Sequence, residues 1–432
     1  MPGHHHAAAQ GATRVSVRVA VRWIAAALFV MTLVGLVALW PSDAPEVLEG
    51  GPFDVEQANA TVTAMAVAPC FGTTPADGID CRDLSIRVTS GRTDGDDASI
   101  QQAIVAGGID LVEGDRIVVS RTAGAPEGLE YTFVDFQRQR PLMVLALLFA
   151  FAVILLGRLQ GVRALIGAAV AMLVLIAFML PALLEGASPM LIALVGASAI
   201  AFVALYVTHG ISDGTTVALL GTLASLAVVA VLGANFVAAT NVTGLVSEES
   251  GILQITAGQI DFRGLLLAGV VIGALGVLDD VTVTQVSAVT QLQAADPSLP
   301  PRELYRTALT IGRDHIASTV NTLVLAYAGA SLPLLLLFTQ SAQPLSRALT
   351  GEVVAVEIVR TLVGSIGLVA AVPITTGLAV ALVRRPMGPP TEDPSVDSVD
   401  SVDATVSPVP TRAPTVEEGD GWEGFVPEET EF

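Results

Sequence analysis

Residues 264–338 read GLLLAGVVIGALGVLDDVTVTQVSAVTQLQAADPSLPPRELYRTALTIGRDHIASTVNTLVLAYAGASLPLLLLF. A membrane-crossing helix needs roughly 20 to 25 mostly apolar residues, and the first half of this stretch is long enough. Asp279 and Asp280 nevertheless fall well inside it. A carboxylate at membrane depth is disfavoured by about 3 kcal/mol even on insertion scales, so it faces protein or a wet cavity and marks a candidate site. Gly269, Gly273, Gly276, Asp280, Thr284 and Ser287 step by three or four residues. They therefore share one helix face, a small and polar stripe suited to close packing on another helix. Asp279 points elsewhere, with Thr282 beside it. The second half repeats the device: His315, Thr319, Thr322, Ala326 and Gly329 share a face, and Asp314, Ser318 and Asn321 share its neighbour. These two helices are expected to pack together around Asp280, with Asp279, Arg313, Asp314, His315 and Asn321 as companions able to bind or relay a proton or cation.

The composition around this stretch fits a membrane. With 432 residues, 52% hydrophobic and only 14% charged, and a mean hydropathy of +0.67, the chain is too apolar for a water-soluble domain of its length. The formal charge of −20 does not call for a basic partner, because the acids are concentrated. Twelve stand against one Arg from Thr391 onward, and seventeen against five Arg from Pro41 to Gln137. Nothing points to nucleic acid, and the sequence offers no clustered ligands for a metal and no cofactor fingerprint.

Taken in order, residues 1–22 form a tail whose Arg14, Arg18 and Arg22 precede an apolar span, Trp23 to Trp40. That order predicts an uncleaved signal anchor with its N-terminus in the cytosol. Residues 45–138 change character and predict a small β domain, with strands near Ala60–Ala68, Asp83–Thr89, Arg116–Ser120 and Glu130–Phe136. This segment holds both cysteines, Cys70 and Cys81, and an external location would allow them to bridge. Residues 141–385 predict seven further spans, beginning with apolar runs at 141–157, 163–183, 189–208 and 214–238. His209 and Asp213, in the turn between the last two, are either a functional pair or simply turn residues. The connection 239–262 is either an amphipathic helix lying at the interface or an ordinary loop. The two helices of the opening stretch follow, joined across Gln291–Arg313, and a last span runs from about 361 to 383.

This count gives a membrane all-α bundle of about eight transmembrane helices with a small extracytoplasmic β domain inserted after the first. Arg158 and Arg163, then Arg302, Arg306 and Arg313, and finally Arg384 and Arg385 fall on the cytosolic side. Both termini are therefore cytosolic by the positive-inside rule, with Arg263 and Arg347 as exceptions. Residues 387–432, acidic and repetitive with Ser-Val-Asp units, are expected to be a disordered cytosolic tail. The expected location is a bacterial plasma membrane.

The Leu278–Val283 run (LDDVTV), the Ile311-Gly312-Arg313-Asp314 tetrapeptide and the block from Asn321 to Leu332 resemble the YibE/F family of multi-pass membrane proteins. The resemblance extends more loosely over about residues 50–385, including Val134-Asp135-Phe136-Gln137-Arg138. It implies a transport or membrane-associated role. It also matches Asp280 to the family's single Asp before Val, whereas His315 stands where an apolar residue is more usual. A second, regional resemblance links the paired helices and the external domain to the membrane cores of resistance-nodulation-division and SecDF proteins.

Two functions remain open. One is a transporter or a proton- or cation-coupled membrane machine acting on an unidentified small solute or ion. The other is a non-transporting scaffold or sensor that uses the β domain and tail to hold protein partners. An enzyme is not expected, because the chain has no HExxH, GxSxG, GxGD-type or phosphate-loop motif.

Overall fold

A computed structural model describes residues 5–42, 56–70, 80–104, 108–122, 125, 130–245, 248–256, 260–340 and 344–383. The expectations for the tail 387–432 and for Arg384 and Arg385 lie outside these residues.

The chain opens with helix α1 (His5–Ala38), and a five-stranded sheet follows: β1 (Glu56–Pro69), β2 (Asp80–Val88), β3 (Asp97–Ala103), β4 (Arg116–Arg121) and β5 (Tyr131–Phe136). All pairings are antiparallel, in the order β3-β2-β1-β4-β5. The sheet is built on period-2 burial: Leu84, Ile86 and Val88 point inward while Ser85 and Arg87 point out. β1 is long enough to serve both neighbours, and a bulge between Val62 and Ala64 bends it where it parts from β4. The edge strands β3 and β5 approach each other, and the Tyr131 hydroxyl donates to Thr93 Oγ1 at 3.0 Å. Ala60, Val62, Leu84, Ile86, Ile100, Ile117 and Val119 fill the half-barrel thus formed. β3 is absent from the four sequence-predicted strands, because in Asp97–Ala103 only Ile100 is both large, apolar and buried. Cys70 and Cys81 are joined by a disulfide at the β1–β2 end of the sheet.

The joint between sheet and helices is tightly bonded. Gln137 Nε2 donates to the carbonyl oxygens of Ala60 and Ile117, tying β1 to β4. Arg138 pairs with Asp135 at 2.5 Å and lies over the Phe136 ring. The guanidinium's hydrogen bond holds the Asp135 carboxyl below its ordinary range.

Beyond this joint the chain is helical: α2 (Gln139–Val174), continued through a π turn (Leu175–Met179) into α3 (Leu180–Leu184), then α4 (Pro189–His209), α5 (Asp213–Ala239), α6 (Glu248–Thr256), α7 (Phe262–Ala295), α8 (Pro301–Ala330), α9 (Leu332–Gln340), α10 (Leu345–Thr350) and α11 (Glu352–Val383). Six helical segments among the described residues are long and apolar enough to cross a membrane, and one of them runs for 46 residues from Gln139 to Leu184. That segment is not straight. Arg158 has φ 49° and ψ −129°, and a Cβ on Gly161 would lie 2.3 Å from the Val153 carbonyl oxygen. In a continuous helix two residues eight apart are separated by about 12 Å of rise, so the chain doubles back at Arg158.

Helices α5, α7 and α11 form the centre, with α4 against α5 and α7, α8 against α11 and α7, and α1 and the second half of α2 against α4. Two sequence expectations about boundaries are corrected. The α7–α8 connection is only Asp296–Pro300, so Arg302, Arg306 and Arg313 stand on a helix and not in a loop. The last span begins at Glu352 rather than near 361, because Glu352 anchors the helix start. Its Oε1 accepts from the Thr243 amide, from Thr243 Oγ1 at 2.7 Å and from the Gly244 amide at 3.1 Å.

The two ends of the bundle differ in charge. At one end Arg22 pairs with Asp213 at 2.8 Å, and the ends of α4, α7 and α11 meet around His209, Gln291 and Val383. Arg158, two residues from Gln160, and the arginines of α8 belong to the same end. At the other end Trp40 stacks on Phe178, and Glu352 binds the 243–244 turn. The β domain is attached at this second end, after α1 and before α2.

Candidate functional site

Helix α7 carries polar groups on two faces, and the fold treats them oppositely. Asp279, Thr282 and Gln285 step by three around the inward side of α7, where Thr282 and Gln285 are fully buried and Asp279 is half-buried at its edge. Across from them α5 presents Thr222 and Ser225, and α11 presents Thr375 and Thr376, all with no exposed surface. The Thr222 and Thr282 hydroxyls share a hydrogen bond of 2.8 Å. Gln285 Oε1 accepts from Thr376 Oγ1 at 2.9 Å. Asp279 lies mid-helix, about 26 Å from its start at ~1.5 Å per residue. Its Oδ1 is buried without a hydrogen-bond partner, as are Gln285 Nε2, Thr375 Oγ1 and Ser365 Oγ.

Missing side chains on neighbouring helices make this polar seam possible. A Cβ on Gly221 would lie 2.2 Å from Thr375 Oγ1, so α5 and α11 touch backbone to side chain there. On α8, a Cβ at Gly312 would come within 2.5 Å of both Gln285 Nε2 and Val372 Cγ1. Unsatisfied polar atoms are uncommon in folded cores and costly, about 1–3 kcal/mol each, so those on Asp279, Gln285 and Thr375 require an explanation.

The other face of α7 corrects the sequence reading. Gly269, Gly273 and Gly276 do not form a close helix–helix contact: a Cβ on Gly269 or Gly276 would meet nothing within 4 Å, and one on Gly273 only the Tyr327 hydroxyl at 3.6 Å. The Asp280 side chain is 72% exposed, and its nearest charged partner is His315, with Nε2 3.7 Å from Oδ2, an ion pair only when the imidazole is protonated. Arg313, Asp314 and Asn321 are exposed on α8 and are not gathered around Asp280. The structure thus brings together Asp280 and His315 of the predicted set, while Asp279 belongs to the internal seam. Sequence reasoning missed Thr222, Gln285, Thr375 and Thr376. The step of three from Asp279 through Thr282 to Gln285 was the available signal.

Below the seam a cavity of about 590 Å³ opens at the arginine-bearing end, lined by His209, Ser212, Thr215, Val286, Ser287 and Thr290. A second cavity of about 680 Å³ adjoins it, sharing His209, Ser287 and Gln291 and reaching Gln160. Val283, which lines both, is one helical turn from Asp279. His209 and Asp213 do not act as a pair: the carboxylate is bound to Arg22, and His209 faces the cavity. Among the described residues no three His, Cys, Asp or Glu side chains gather as a metal site.

Comparison with known proteins places this architecture. No curated protein and no solved structure matches the chain. The profile of the YibE/F-like protein family matches residues 145–385, which takes in every helix of the seam and both cavities but neither the sheet nor the Val134–Arg138 joint. The match spans more than half of the 432 residues, and the chain belongs to the YibE/F-like protein family.

Proposed function

We propose that this protein is a proton- or cation-coupled transporter of a small solute or ion, without enzymatic activity, working in a bacterial plasma membrane. The proposed count is eight crossings, supported by the six long apolar segments, with one more assigned to the reversal at Arg158 and one to α8 with α9. The arginine-bearing end is cytosolic by the positive-inside rule, which leaves both termini inside and the β domain outside. One observation carries the transport reading. Asp279 offers an unbonded carboxylate oxygen at mid-membrane depth, in a seam of hydroxyls and an amide, one turn above a cavity open to the arginine-bearing end. A charged carboxylate there costs about 3 kcal/mol or more, and the cost disappears when a proton or cation occupies it. Thr282, Gln285 and Thr222 supply neutral oxygen atoms within the same seam. Asp280 and His315, on the opposite face, are a second exchange point, where protonation of the imidazole controls the ion pair.

Purified protein in liposomes tests the reading. We expect a proton or monovalent-cation flux that Asp279→Asn abolishes while preserving insertion and abundance, and that Asp280→Asn lowers less. Full flux in the Asp279→Asn protein would refute the role of the seam, and wild-type liposomes without flux under any imposed gradient would refute transport. In the latter case a sensor or scaffold is the better reading. The bonded joint at Gln137 and Arg138 favours it, because it ties the residues that lead into α2 to strands β1, β4 and β5.

A further inference from the structure

The groove between α8 and α11 has no part in the seam, and its chemistry is distinct. Arg302, Arg306 and Arg313 stand on one face of α8, separated by four and seven residues, and line a cavity of about 550 Å³. Tyr305 and Leu309 share that wall, and Gly377, Val380 and Ala381 of α11 form the opposite one. The result is a cleft with cationic groups along one side and an apolar floor. Gly377 faces this space, where a Cβ would meet only a Tyr305 ring carbon at 3.9 Å. Among the described residues none of the three guanidiniums has an ion-pair partner, although Glu303 and Asp314 are sequence neighbours. Those two carboxylates are displaced by about 100° around the helix from the arginines beside them, so they do not neutralise the groove. The first turn of α8, starting at Pro301, adds the positive end of a 30-residue helix.

We infer that this groove binds the phosphate headgroup of an anionic phospholipid, held by the guanidiniums of Arg302, Arg306 and Arg313. The site lies at the boundary of the apolar part of α8, which begins at Ile316, where headgroups sit if the helix spans. Arginine stems reach along the helix toward the interface, so three guanidiniums spread over about 16 Å can converge on one phosphate region. Lateral access from the bilayer and the apolar wall favour a lipid over a free anion. The inference rests on the membrane-spanning reading and not on transport.

Native mass spectrometry of the full chain, delipidated in a neutral detergent, tests it with phosphatidylglycerol, phosphatidylcholine and inorganic phosphate as probes. Phosphatidylglycerol adducts should persist at concentrations where phosphatidylcholine adducts are lost. Each basic side chain near an anionic surface is worth about fivefold in binding, so Arg302→Gln/Arg306→Gln/Arg313→Gln should weaken phosphatidylglycerol roughly a hundredfold. The triple Arg→Lys protein, which keeps the charge, should retain most of the binding. Arg263→Gln, at the opposite end of the bundle, should leave it unchanged. If the triple Gln protein fails to fold, Arg302→Gln and Arg306→Gln alone should each cost about fivefold. Equal retention of both lipids, or unchanged phosphatidylglycerol binding in the Gln variants, would overturn the proposal. So would inorganic phosphate that itself binds and displaces the lipid at low millimolar concentration, which would make the groove an anion site.

Discussion

Gln285 offers the sharpest separation between stability and function. Its Oε1 accepts one hydrogen bond from Thr376, but its Nε2 is buried with no partner, pressed against Gly312 and Val372. Consider Gln285→Met, which keeps the unbranched shape and nearly the volume. The Thr376 hydroxyl loses one acceptor yet retains the Val372 carbonyl oxygen at 2.6 Å, so no new orphan donor is created. Polar contacts between membrane helices average about 0.6 kcal/mol and reach ~1.7, which bounds the loss. Removing a buried, unpaired amide donor returns about 1–3 kcal/mol. A volume-conserving exchange costs less than ~1.5 kcal/mol in repacking. The expected balance is unchanged stability or a gain of about 1 kcal/mol, from the sum of these terms. Gln285→Ala, which empties the site, should lose about 2 kcal/mol or more as cavity-forming substitutions do. Equilibrium unfolding in mixed micelles gives both numbers, and liposome flux gives the function. We expect the Met variant to be as stable as the wild type while flux falls at least about tenfold, a loss of ~1.4 kcal/mol in the barrier. A Met variant destabilised by more than about 1 kcal/mol would show that Nε2 is satisfied in the native protein, for example by a buried water, and the orphan argument would fail.

Gly312→Ala should destabilise the α7–α8–α11 contact by about 1–3 kcal/mol, since its methyl would overlap Gln285 Nε2 and Val372 Cγ1 at 2.5 Å. Gly276→Ala, facing open space, should be neutral or slightly stabilising in the same unfolding assay, and equal losses at the two positions would contradict the assigned faces. Reducing the Cys70–Cys81 bridge opens an 11-residue separation and should lower the stability of the sheet by about 3 kcal/mol on the chain-entropy estimate. Hydrogen exchange of β1 and β2 with and without reductant measures it, and unchanged protection would refute that value.

Much of the architecture was legible because it depends on short-range patterns. Apolar runs longer than a bilayer is thick announce helices whatever they pack against, and Leu84, Ile86 and Val88 alternate as a half-buried strand must. β3 was not legible, since Asp97–Ala103 is polar and pairs only because β2 offers it an edge. The reversal at Arg158 lies between two runs that sequence analysis separated at 157, yet helical backbone resumes at once on the far side of a single residue.

The site shows the same division more sharply. Sequence alone determined that α7 carries two carboxylates in an apolar setting, that glycines and hydroxyls recur at helical spacing on it, and that α8 begins basic. It did not determine which stripe faces inward. Both stripes of α7 satisfy the three-and-four rule, and the Gly269–Gly276–Asp280 stripe has more of the small residues that favour close packing. The tertiary structure decided for Asp279, Thr282 and Gln285, because only on that side do Thr222, Thr375, Thr376 and Gly312 come from three other helices. The physical reason is that a helix period fixes which residues share a face, whereas the choice of buried face depends on the partners' shapes and hydrogen-bonding groups, which lie far away in the chain.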